Sequence, residues 1–193
     1  ISAEDWVNNL ITGLPAEKNA LVASTASGYL ANVMWEIAPA NRAEVEARIY
    51  TMTQNHPLSS CRIQLMRLFM QNAISEPMVK KLYILWQQQS DKHLNRQDYT
   101  TLAYELASRM PLESEQILRT QRARIDDPDR LRQFDFISRA AVSDTARLDT
   151  LFNSLLAAEN RRIEPWTTAV IRYLNHPLRE DQSVKYIRPG LEV

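Results

Sequence analysis

Only three glycines, Gly13, Gly28 and Gly190, occur in a chain of 193 residues. An average protein of this length has about 7% glycine, or roughly fourfold more. The tight turns of hairpins and sandwiches need backbone at positive φ, which glycine supplies most cheaply. A sheet protein starved of glycine has few ways to reverse direction, so the scarcity selects helices. The nine prolines fit the same reading, because several fall between apolar-periodic stretches rather than within them.

Helical periodicity fills the intervals. Ser2 and Asp5 have the spacing of a capping box and predict a helix to about Ile11, ending near Gly13. Pro15 opens a long second segment, with Leu21, Val22, Leu30, Val33, Met34 and Ile37 on its apolar face. Gly28 marks a point where it can bend, and Pro39 stops it by disfavouring helical geometry in the preceding residue. Asn41 and Glu44 have N-cap spacing for the next helix. Further helices are expected over 59–72, 76–88, 97–110, 114–125, 128–142, 145–157 and 165–174, with a last one starting near Asp181. Asp127-Pro128 is a strong start signal, since aspartate caps free amides and proline at the first helical position forfeits no bond. The expected architecture is all-α: an α-solenoid of antiparallel helix pairs, a HEAT/ARM-like right-handed superhelix without a strict sequence period. The chain opens on ISAEDW and stops at RPGLEV, so residues 1–193 read as one helical domain cut from a longer polypeptide.

The tetrapeptide NHPL occurs twice, at 55–58 and 175–178, and each copy holds one of the three histidines. Asparagine tolerates the left-handed region and ends helices. Histidine before proline is driven to extended geometry, and the proline presets the next helix. NHPL therefore reads as a reused helix–helix corner. The competing reading, a metal held between His56 and His176, lacks further ligands: Cys61 is alone and neither copy has a second histidine nearby.

Other chemistry is sparse. Lys plus Arg equal Asp plus Glu at 23 each, which removes the electrostatic case for nucleic acid or an anionic membrane as main partner. No apolar run approaches the ~18 residues that span a bilayer. HExxH, phosphate-binding glycine loops and the GxSxG elbow are all missing. Catalysis by this chain alone is not expected, and no catalytic or metal-binding residue is assigned. His93 stands by itself in a polar loop. The stretch RTQRARIDDPDRLRQFDF alternates Arg119, Arg122, Arg124, Arg130 and Arg132 with four aspartates, as exposed charge pairs at a helix junction do. A sharper reading turns one or two of these guanidinium forks toward a peptide carboxylate. The aromatics, among them Trp86, Tyr99, Tyr104, Phe134 and Tyr173, and Met66, Met70 and Met78, sit at helical spacing and are expected in the core.

The phrases QDYTTLAYELASRM, ILRTQRARIDDPDRLRQFDFISRAAVSD and EPWTTAVIRYLNHPLREDQSVKYIRPGLEV resemble the C-terminal helical domain of the aminopeptidase N-like (gluzincin) zinc metallopeptidases, particularly bacterial members. The likeness is carried by residues 99–193. Over the first half, helical rhythm carries it. In that family an upstream thermolysin-like domain holds HExxH and a distant glutamate as zinc ligands, with a GxMEN-type loop for the substrate's amino end. The resemblance thus implies no cofactor in this chain and zinc in a catalytic domain of the same polypeptide. It implies a helical array that curves over the active site, encloses a chamber and limits peptide entry. Arginines on the inner face of some members meet the substrate's carboxyl end, and charge placement puts Arg122 and Arg124 first for that role. The expected partners are the upstream catalytic domain and a peptide substrate. The alternative is a freestanding helical-repeat adaptor that binds a protein or peptide on a concave face.

Overall fold

The computed structural model describes residues 2–192, which form eleven α-helices and five short 3₁₀ segments joined by turns, with no strand among the described residues. The chain divides into two compact units, Ile1–Leu102 and Ala103–Val193.

The first unit holds α1 (Ala3–Gly13), α2 (Ala20–Val33), α3 (Pro39–Asn55), α4 (Ser59–Asn72), α5 (Glu76–Gln88) and the start of α6 (Arg96–Arg109). Ser2 caps α1 as expected: its hydroxyl accepts from Asp5 N–H and its own N–H donates to the Asp5 carboxylate, each at 3.1 Å. The second segment departs from expectation. Leu14–Ala16 is a separate 3₁₀ turn, and α2 starts only at Ala20, where the Asn19 side chain accepts from Leu21 and Val22 N–H. Its buried stripe is Ala23, Ser27, Leu30 and then Met34, while Leu21 and Val22 face outward. Small residues at Ala23 and Ser27 let α2 pack closely on its neighbours α1 and α4, a register that the larger side chains one turn earlier conceal. The proposed Asn41 cap is also absent. Pro39 occupies the first helical turn, and extended Ala38 precedes it, so this proline both ends one element and starts the next. Ile49, Leu65, Phe69, Leu82 and Trp86 are among the large side chains fully buried in this unit's core.

The second unit holds the rest of α6, then α7 (Ser114–Arg122), α8 (Pro128–Ile137), α9 (Thr145–Leu155), α10 (Glu164–Leu174) and α11 (Glu180–Leu191). Asp127 caps α8, accepting from Asp129 and Arg130 N–H at 3.0 and 2.8 Å. Helix α7 stops three residues early because Arg124 and Ile125 N–H bond three residues back, tightening the last turn before Pro128. Tyr104, Phe134, Ile137, Leu151, Tyr173 and Tyr186 anchor one apolar cluster. Within it Tyr104 stacks on Phe134 at 5.2 Å and meets Tyr173 edge-on at 5.5 Å.

Candidate functional site

The two NHPL copies fold alike. His56 has φ −61°, ψ 133° and His176 has φ −62°, ψ 134°. In each, the imidazole Nδ1 accepts from the N–H two residues on, Leu58 at 3.1 Å and Leu178 at 3.2 Å. An accepting Nδ1 places the proton on Nε2. That N–H is spent on Leu14 C=O at 3.0 Å in the first copy, and faces Glu105 at 3.5 Å in the second. Both rings are buried with both nitrogens engaged, so neither is poised as a general base. The histidines are corner pieces.

Each unit holds a buried charge cluster, and that of the second unit meets the His176 corner. In the first unit Glu46, fully buried, accepts from Ile74 N–H (2.8 Å), Ser75 N–H (2.9 Å) and the Ser75 hydroxyl. It thereby caps α5 from another helix. Arg42 pairs with Glu46 at 2.9 Å and donates to Asn72 C=O at 2.5 Å, covering the end of α4. In the second unit Glu105 accepts from Arg109 (2.7 Å) and Tyr173 (3.0 Å). Burial pushes the Glu105 carboxyl up, but Arg109 and His176 outweigh it and hold it below the usual range. Arg179 donates to Ala140, Tyr173 and Ala141 carbonyls at 2.6, 3.1 and 3.0 Å. Burial lowers its pKa to about 10, leaving it a cation at neutral pH. These groups are engaged with one another and with backbone, and their chemistry is to lock helix ends.

Arg122 lies on the surface and forms a two-pronged pair with Asp135, at 2.7 and 2.9 Å. Arg124 is half-buried two residues on. Phe134, Tyr104, Tyr173, Trp86, Tyr99, Met66 and Met70 are buried as expected, whereas Trp6 is 48% exposed.

Each unit has a cavity open on its surface. In the second unit, α9, α10 and α11 wall an apolar cleft of about 510 Å³ with Phe152, Leu156, Ile171 and Ile187. In the first unit a polar pocket of about 370 Å³ is lined by Arg62, Lys81, Asp91, Lys92 and His93 over Tyr50. Periodicity gave no sign of it, because its cations come from α4, α5 and the loop after α5. Among the described residues no metal-sized group of three His, Cys, Asp or Glu side chains assembles. Comparison with protein-family models, curated proteins and solved structures returned no match in any of the three.

Proposed function

We propose that this chain is a non-catalytic helical domain of a zinc-dependent aminopeptidase of the aminopeptidase N type. In this reading its helix pairs stack as a HEAT-like right-handed superhelix that encloses the reaction chamber and limits which peptides enter. Zinc and the catalytic residues belong to the rest of the parent polypeptide, which removes N-terminal residues from peptides. One observation carries the reading: the phrases that resemble the family supply the residues that fix the second unit. Tyr104, Glu105, Phe134, Tyr173, His176, Arg179 and Tyr186 all lie in those phrases, and all are buried. The phrases on which the reading rests thus contain core and corner groups of this unit.

Arg122 and Arg124 are the proposed contacts for the peptide's carboxyl end. Arg122 reaches such a ligand by exchanging one carboxylate, that of Asp135, for another, a swap open to an exposed, solvent-screened pair. Replacing both with glutamine in the intact enzyme is expected to narrow the rate difference between free-carboxyl and amidated peptides. Identical kinetics on both peptides, variant against wild type, would reject the role.

A second reading, a freestanding adaptor, gains support from the cationic pocket of the first unit, which lies outside the resembling phrases. An intact polypeptide that binds a protein or peptide and holds no zinc would favour it.

A further inference from the structure

The polar pocket of the first unit concentrates charge in a chain whose acids and bases balance. Arg62, Lys81 and Lys92 line it with a single carboxylate, Asp91, so three cations against one acid leave a net charge of +2. Among the described residues no carboxylate comes within ion-pair distance of any of the three cations. Arg62 gives Nη2 to the Ser59 hydroxyl at 3.0 Å, while its buried Nε finds no acceptor. The Lys81 ammonium sits over the Tyr50 ring, 5.0 Å from its centre, which holds it over the pocket without neutralising it. The neighbouring Lys80, by contrast, is paired with Glu76 outside the pocket.

The fourth side is a built loop. Helix α5 ends at Gln89 with φ 49°, the left-handed region that a non-glycine residue enters at a cost. The loop that follows is fastened from below by the buried Tyr99 hydroxyl, which bonds Asp91 N–H at 3.0 Å and Asp91 C=O at 3.1 Å. Asp91 spends one carboxylate oxygen on His93 N–H at 2.8 Å. The result fixes Lys92 and His93 on the rim facing Arg62 and Lys81.

We propose that this pocket is a binding site for a phosphate dianion, free or carried as the monoester of a small molecule. A phosphoryl group bears about −1.5 to −2 at neutral pH and offers three acceptor oxygens. It matches the net charge of the pocket and offers an acceptor oxygen to each of the three lining cations, whereas a carboxylate carries a single charge on two oxygens. The inference is independent of the aminopeptidase reading, because it concerns ligand binding by this chain alone.

Calorimetric titration of the 193-residue chain at low ionic strength tests it, with inorganic phosphate, glycerol phosphate and acetate as ligands. Saturable one-to-one binding of a phosphate is expected, with acetate at least ~10-fold weaker. Inorganic phosphate binding as tightly as the ester assigns the site to the free ion, and tighter ester binding assigns it to an organic phosphate. Lys81→Gln and Lys92→Gln, each checked for native helicity, should weaken phosphate binding by ~10-fold, and Lys80→Gln should leave it unchanged. Acetate binding equal to phosphate, an equal loss in Lys80→Gln, or no saturable phosphate binding would each overturn the proposal.

Discussion

At the residue scale, His56 and His176 do at a corner what a capping aspartate does at a helix start: a side-chain acceptor satisfies the amide two residues ahead. The corner itself was legible in the sequence, because proline acts locally; the left-handed role expected of asparagine is not taken, as Asn55 stays helical and Asn175 has φ −98°. The far partner was not legible. Leu14 is 42 residues from His56, and Glu105 is 68 from Tyr173, and no short-range pattern encodes such pairings. Two consequences follow from the buried polar groups. The Tyr104 hydroxyl is buried without a hydrogen-bond partner, which costs about 1–3 kcal/mol. Tyr104→Phe keeps the ring stack on Phe134 and removes that cost, so the urea midpoint should rise. A fall would mean the hydroxyl has an acceptor that the structure does not show.

Glu105 gives a pH prediction. Its folded pKa lies below the unfolded value of about 4.5, so its stabilising effect is present above pH 4.5 and is lost as pH falls through the folded value. Protection of the Leu178 amide and of α10 against hydrogen exchange should therefore hold near pH 5 and fall as the pH is lowered below 4.5, after correction for the intrinsic exchange rate. Protection unchanged across that range would contradict the assignment of a charged Glu105.

At the element scale, α4 and α5 have the bounds that sequence predicts, Ser59–Asn72 and Glu76–Gln88. Corner chemistry flanks both: Pro57 and Leu58 before one, Ser75 and Pro77 around the other. Helix α2 was misjudged at its start and on its buried face because contact with α1 and α4 selected small residues over large ones. Tertiary packing overrode the apolar pattern. The end of α5 offers a clean test. Gln89 at φ 49° bears the left-handed penalty of about 1–2 kcal/mol that glycine avoids. Gln89→Gly should raise stability by about 1 kcal/mol in urea unfolding. A loss of stability would show that the glutamine side chain contributes more than its backbone costs.

At the scale of the whole molecule, the all-α class follows from the shortage of glycine, and the structure has it throughout residues 2–192. The division at Leu102 and Ala103 falls inside α6, where neither linker composition nor a proline marks it, so sequence gives no hint of two units. The candidate sites were less legible than the fold. Arg122 and Arg124 stand out in sequence because they are close together, whereas Arg62, Lys81 and Lys92 converge only when α4, α5 and the loop after them have folded. The proposed function requires that these helices serve a zinc centre elsewhere on the same polypeptide. Its most direct test is to isolate the intact natural polypeptide bearing this sequence, measure its zinc content, and follow peptide cleavage by mass spectrometry with and without a chelator. The account predicts one bound zinc and stepwise release of N-terminal residues that the chelator abolishes. An intact polypeptide that holds no zinc and leaves peptides uncut would contradict it.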